Sequence, residues 1–265
     1  MFADDLLKGK VAYISGGTSG INLGIAKIFA KYGAKVCVIG RDAEKGEAAV
    51  AEIKAVAAGE AMFCAADVRD YDAIEASVKA VVERFGALDI VIAGAAGNFF
   101  APAVSISPKG FKTVIDIDLL GTYHVFKAAF DHCNKGGASF IAITAGQAVN
   151  PTPFQAHVCA AKAGINALLK TLAMEWGPAG IRVNGISPGP IAGTEGLKRL
   201  APTPAAEHEI TRHIPLRSLG SVEDIGNAAT YLSSPMAAYI TGTIFDVEGG
   251  YQLGDAAADC LQPSR

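Results

Sequence analysis

The run Ser15-Gly16-Gly17-Thr18-Ser19-Gly20-Ile21-Asn22-Leu23-Gly24 follows a short apolar, β-branched stretch and leads into an apolar helical one. Strand, glycine-rich turn and helix in that order form the junction at which α/β proteins bind dinucleotides. Glycines there allow a tight turn, let backbone N–H groups approach a pyrophosphate, and aim the positive end of a helix at its charge. A glycine-rich turn alone is also an ordinary structural turn; the strand before it and the helix after it favour the nucleotide. Gly16, Thr18, Ser19, Gly20, Asn22 and Leu23 are the candidate contacts. The next apolar stretch closes on Gly40-Arg41, where an NAD-specific protein places an acid for the ribose 2′-hydroxyl. A guanidinium there suits a 2′-phosphate through charge-assisted hydrogen bonds, so NADP(H) is the expected cofactor. The other reading of Arg41 is a solvated surface side chain, and the adjacent Asp42 bears on the same choice.

Apolar β-branched runs alternate with amphipathic helical stretches along the whole chain, which is the pattern of right-handed βαβ units. Strands are expected at 11–15, 35–39, 61–65, 89–93, 139–144, 182–187 and 243–247, and helices at 20–32, 44–57, 72–85, 108–130, 157–176 and 222–233. The fold class is therefore α/β: a doubly wound, parallel, seven-stranded Rossmann-type sheet in a single domain spanning residues 1–265. Its ligand crevice should lie at the carboxyl ends of the strands. One segment breaks the rhythm. Residues 188–215 carry Pro188, Pro190, Pro202, Pro204 and Pro215 without a clean period, and a loop of that length is expected to be a lid over a site.

Hydrophobic residues make up 51% of the 265 and charged ones 18%, enough apolar surface for one large core. A formal net charge of -3 and no basic run argue against a nucleic-acid partner. The start of the chain lacks the apolar stretch of a secretory signal, and the last three residues are not a peroxisomal Ser-Lys-Leu address. Residues 160–176 are interrupted by Lys162, Lys170 and Glu175, which is incompatible with a bilayer span; no membrane partner and a cytoplasmic location are expected. Cys37, Cys64, Cys133, Cys159 and Cys260 form no CxxC pair and read as reduced thiols, and His124, His132, His208 and His213 show no metal-ligand spacing, so no metal site is expected.

With the glycine-rich turn, Asp67-Val68, Ala95-Ala96-Gly97, Lys162 and Pro188-Gly189-Pro190-Ile191 in register, the chain resembles the short-chain dehydrogenase/reductase family over essentially its whole length. The resemblance implies that Asp67 and Val68 border the adenine, that Ala95 and Gly97 line the sheet switch point, and that 188–194, with Pro188, Gly189 and Ile191, enclose the nicotinamide. The family's usual active site is Tyr-x-x-x-Lys with an upstream Ser and an Asn on the preceding long helix. Here the lysine is kept as Lys162, but the tyrosine position is Val158, the serine neighbourhood reads Thr144-Ala145-Gly146, and the asparagine position is Asp118. Asn22 stands where most members have a third glycine.

Valine cannot donate or accept a proton, so alcohol-to-ketone chemistry through a tyrosinate is closed. One subgroup of the family lacks the tyrosine in this way, the 2,4-dienoyl-CoA reductases, and the stretches 95–99, 111–118, 174–178 and 188–197 are similar to its peroxisomal type. The resemblance implies an acyl-CoA substrate, hydride delivery to the far end of the conjugated diene, and protonation of the resulting dienolate. Lys162 would touch the nicotinamide ribose and favour the enolate. Asp118 would act as an acid or orient a water, and Asn98 could donate an N–H to the thioester oxygen. The other reading of Lys162 is a solvent-facing helix lysine, that of Asp118 a paired structural carboxylate, and that of Asn98 ordinary turn chemistry. Gln147 and His157 should also fall near the crevice, as a substrate contact and as either a catalytic or a structural residue. The helices at 111–130 and 156–176 have more apolar surface than one sheet face needs, and the family pairs such helices across two-fold axes, so a homotetramer is expected. The alternatives are a short-chain reductase of another activated alkene or carbonyl, and a non-catalytic NADP(H)-binding protein.

Overall fold

The apolar run Val11–Ser15 forms β1, and every one of its side chains is buried. A strand covered by helices on both faces needs no alternation of polar and apolar residues. The computed structural model describes residues 2–57 and 59–254. After β1 come β2 (Lys35–Gly40), β3 (Ala61–Ala65), β4 (Ile90–Ala93), β5 (Ser139–Ile143), β6 (Arg182–Pro188) and β7 (Ile244–Val247). They make one seven-stranded sheet in the order β3-β2-β1-β4-β5-β6-β7, with every pairing parallel. The chain leaves β1 for β2 on one side, and β4 takes the other side. The switch point between β1 and β4 opens the crevice at their carboxyl ends.

Helices α1 (Gly20–Lys31), α2 (Ala43–Val56) and α9 (Val222–Ser233) cover one face of the sheet through Ile25, Phe29, Ile53 and Leu232. The other face is covered by α3 (Tyr71–Phe85), α5 (Gly121–Phe130) and α6 (Ala156–Trp176) through Val78, Phe126 and Leu169. Local chemistry fixes several starts. Asp42, which bore on cofactor choice in the sequence, caps α2 by accepting the Lys45 N–H at 3.1 Å. Asp70 does the same for α3, and Ser221 with Asp224 forms a reciprocal box at α9.

Two elements depart from the sequence expectation. The helix expected over 108–130 is α4 (Pro108–Ile115) and α5 joined by a single wider turn, Asp116–Leu120, with π-helical hydrogen bonding. Segment 188–215 contains α7 (Glu195–Leu200) and α8 (Pro204–His213), capped by Thr194 and Thr203. Pro204 occupies the first turn of α8, where its missing N–H costs nothing, so a residue that looks like a helix breaker starts one. Ile191 makes an isolated bridge to Gly220, tying the segment's root to the body. Cys260 and the terminal tripeptide 263–265 lie outside the described residues.

Candidate active site

Gly16 has φ +66°, and a Cβ there would stand 2.8 Å from the backbone of Ala95. The glycine thus lets the first turn lie directly against the end of β4. Asn22 holds that contact, since its Nδ2 donates to the Gly94 carbonyl at 2.8 Å and more weakly to that of Gly16 at 3.4 Å. A side chain at position 94 would collide with it. The Asn22 side chain therefore staples the turn to the switch point. Ser19, just before α1, makes no side-chain cap, and the first turn holds no acid. A Cβ at Gly20 would meet open space, and the start of α1, with no side-chain cap from Ser19 and no acid in its first turn, suits a phosphate.

A Cβ at Gly40 would lie 2.9 Å from the Thr18 side chain, so an acid at that position would have to push the Thr18 side chain aside. Arg41 projects outward with 68% of its side chain exposed and only a loose 3.9 Å approach to Asp67. Asp67 is instead engaged by Arg69, whose Nε and guanidinium nitrogen reach both carboxylate oxygens at 2.6 to 3.1 Å; chiefly for that reason its carboxyl sits below the usual carboxylate range. Arg69 was absent from the sequence candidates. Val68 is buried, its carbonyl receives His124 Nδ1 at 2.8 Å, and a Cβ on Gly121 would strike it. At the far side of the crevice, Pro188 ends β6, Gly189 packs too closely on Glu248 to carry a Cβ, and Ile191 is buried.

The crevice floor holds a buried ion pair. Asp118 emerges from the π turn and is 1% exposed; its Oδ1 accepts the Gly97 N–H at 2.7 Å. Its Oδ2 lies 3.3 Å from Lys162 Nζ as an ion pair and has no hydrogen-bond partner among the described residues. Lys162, also buried, donates to the Ile143 carbonyl at 3.0 Å. The structure thus brings Asp118, Lys162 and Gly97 together as one buried unit. Val158, at the position of the family tyrosine, packs in a dry cluster with Val114 and Ala161.

His157, one residue before Val158, is fully buried, and neither ring nitrogen has a hydrogen-bond partner in good geometry. Its ring lies under Phe99, with centroids 4.2 Å apart. Loss of hydration pushes its pKa down, against the opposing pull of the Asp118 carboxylate and the Phe99 backbone. Asn98 is exposed; its carbonyl accepts from Arg199 on α7 at 3.0 Å and its side-chain Oδ1 accepts from Gln155 Nε2 at 3.1 Å. Gln155 in turn accepts from Gln147 Nε2 at 3.1 Å. Gln155 and Arg199 are further crevice residues that the sequence did not single out. Among the described residues, no cluster of His, Cys, Asp or Glu could hold a metal ion, and no helix is long and apolar enough to cross a membrane.

Residues 16–252 match the family model described as enoyl-(acyl carrier protein) reductase. The peroxisomal 2,4-dienoyl-CoA reductase of Saccharomyces cerevisiae, described as (3E)-enoyl-CoA-producing, is 45% identical over 98% of this chain and 90% of its own length. A probable 2,4-dienoyl-CoA reductase of Bacillus subtilis, described as (2E)-enoyl-CoA-producing, is 38% identical over 92% of this chain and 97% of its own. The crystal structure of a short-chain dehydrogenase from Bacillus anthracis superposes with a TM-score of 0.83 at 39% identity, covering 92% of this chain and 97% of that one.

Proposed function

Since this chain belongs to the short-chain dehydrogenase/reductase family of oxidoreductases, whose fold implies a nicotinamide cofactor, we propose that it is an NADPH-dependent reductase of 2,4-dienoyl-CoA thioesters. The observation that carries the proposal is the floor of the crevice. The position that works as a phenol acid in relatives is a dry valine, whereas the lysine is retained and buried against an aspartate. A site stripped of its alcohol acid but equipped with a buried ammonium and nearby amide suits a reaction in which charge appears on a thioester oxygen rather than on an alkoxide.

The residues present fit the cofactor. The uncapped start of α1 and the glycines at 16 and 20 would hold the pyrophosphate, Val68 and Asp67 would flank the adenine, and Arg41, held only loosely by Asp67, would take a 2′-phosphate. When bound, the nicotinamide supplies a hydride. Lys162, its Nζ anchored to Ile143, has donor capacity left for the nicotinamide ribose and for the substrate side of the crevice. Asp118 keeps Lys162 in place and fixes the Gly97 amide, and its Oδ2 offers an acceptor for a proton-carrying water. Asn98, whose Oδ1 is engaged by Gln155, would offer its NH2 group to the thioester oxygen, where negative charge develops.

The yeast relative's description names the product that we propose here. A (3E)-enoyl product has new hydrogens at C5 and C2, so hydride adds at C5, the dienolate forms on the thioester oxygen, and the proton is taken up at C2. A (2E) product, as named for the Bacillus subtilis relative, would place that proton at C4. Reduction of hexadienoyl-CoA by NADPH in heavy water, followed at 340 nm with NMR of the product, decides: deuterium at C2 is expected. Absence of NADPH oxidation would sink the proposal. The family model's description favours one second reading, a single activated alkene in an enoyl thioester; faster turnover of crotonyl-CoA than of hexadienoyl-CoA would select it. We further propose a homotetramer and a cytoplasmic location, although the yeast relative is peroxisomal by name; imaging of a fluorescent fusion tests the compartment.

A further inference from the structure

Three amide side chains form a hydrogen-bonded row that ends on Asn98, in the segment after β4. Gln147 Nε2 donates to Gln155 Oε1 at 3.1 Å, and Gln155 Nε2 donates to Asn98 Oδ1 at 3.1 Å. Gln155 is 1% exposed, at the residue preceding α6, whereas Asn98 is exposed. A primary amide has a donor end and an acceptor end, so each link dictates the next. With Oδ1 of Asn98 engaged by Gln155, its NH2 group is what remains for the crevice. The backbone on either side is clamped as well: Asp118 accepts the Gly97 N–H, and Arg199 donates to the Asn98 carbonyl.

We propose that Gln147 and Gln155 are positioning residues that set the amide of Asn98 donor-outward, so that Asn98 presents N–H groups, and not its carbonyl, to the thioester oxygen. The proposal rests on the reaction put forward above. A carbonyl turned to the same place would repel the developing oxyanion, so the orientation of one amide decides whether the residue helps or hinders.

Acceptor-only substitutions reverse the row. Gln155→Glu, when ionised, forces Asn98 to turn its NH2 inward, and kcat for hexadienoyl-CoA should fall by roughly 100- to 1000-fold, the loss typical of one oxyanion donor. NADPH affinity should be unchanged. Gln155→Met, which frees Asn98 without inverting it, should lose only several-fold. Lowering the pH should restore turnover in Gln155→Glu, because the protonated carboxyl can again donate to Asn98; a purely structural lesion gives no such profile. Gln147→Glu, two links from Asn98, should show the same inversion, against Gln147→Leu as control, and covers the case in which the buried variant fails to fold. Equal kcat losses for Glu and Met at 155, with no recovery at low pH, would overturn the proposal. A wild-type protein that leaves hexadienoyl-CoA unreduced would strike the functional reading alone. The row is then judged by the side-chain amide signals of 15N-glutamine-labelled, NADP+-loaded protein. Slow water exchange at Gln155, with a shift in Gln147→Glu, supports the row, and exchange as fast as an exposed amide overturns it.

Discussion

Removing the Asp118 carboxylate tests whether the crevice floor is a desolvated ion pair. The carboxylate is 1% exposed and the Lys162 side chain 7%, at a separation of 3.3 Å. Asp118→Ala leaves the ammonium with the Ile143 carbonyl as its remaining partner and strips the Gly97 N–H of its acceptor. Breaking a buried pair from one side costs roughly 3–5 kcal/mol; the surviving carbonyl contact places the expectation at the lower end, about 3 kcal/mol. In a chain of this size each kcal/mol moves Tm by roughly 2–4 °C, so the variant should melt on the order of 6–12 °C lower. Adding Lys162→Met removes the orphaned charge, and apolar replacement of a buried pair is often near neutral. The double variant should therefore recover to within roughly 1–2 kcal/mol of wild type, the remainder being the unmatched Gly97 amide. Calorimetry at fixed protein and saturating NADP+ concentration, repeated without cofactor, measures the stabilities, and neither variant should reduce hexadienoyl-CoA at a useful rate. A double variant that melts as low as Asp118→Ala alone would refute the reasoning, because the cost would then not be the unpaired charge.

Arg41→Ala should lower the NADPH/NADH affinity ratio by about tenfold or more, the loss of one charge-assisted bond of roughly 1.5–3 kcal/mol, as read by fluorescence titration; an unchanged ratio removes Arg41 from the 2′-phosphate. Because burial lowers the folded pKa of His157, the unfolded chain binds the extra proton more readily. Stability should thus decline as pH falls through about 6.5, the unfolded value, and level off below the folded pKa. His157→Phe should flatten that decline in urea titrations, and an unaltered slope would show that another group carries it. Light scattering at micromolar concentration should return a mass near four chains, with a monomer contradicting the proposed assembly.

The sheet and its covering helices were legible because their signals are local: β1 is a continuous apolar run, and α1, α3 and α9 repeat their buried residues at helical spacing. The buried closeness of Lys162 and Asp118 was legible from motif register together with the oddity of a carboxylate among apolar neighbours. What escaped was decided by long-range pairing. Gln155 meets Asn98 across 57 positions, and Arg199 meets it across 101. Nothing near either residue announces the partner. Asp42 bore on the cofactor choice in the sequence, and the structure adds that it caps α2, a role that the same carboxylate chemistry serves and that only the position of α2 reveals. Prolines in 188–215 suggested loop, but the threonine-capped, proline-started helix α8 shows that a breaker and an initiator share one residue type.

The wide turn at Asp116–Leu120 has a consequence for how this site can be gained or lost. A π turn holds one more residue than an α-helical turn, which in the gene is three bases. Deleting one residue from it would let α4 and α5 run on as a single regular helix, and the residues on one side would swing by about 100° relative to the other. Asp118 would then turn away from its present partners, and the buried face of α4 or of α5 would turn with it. A single-codon deletion here should therefore part Asp118 from Lys162 and the Gly97 amide without changing any side chain, so their meeting is a matter of helix register rather than of side-chain identity.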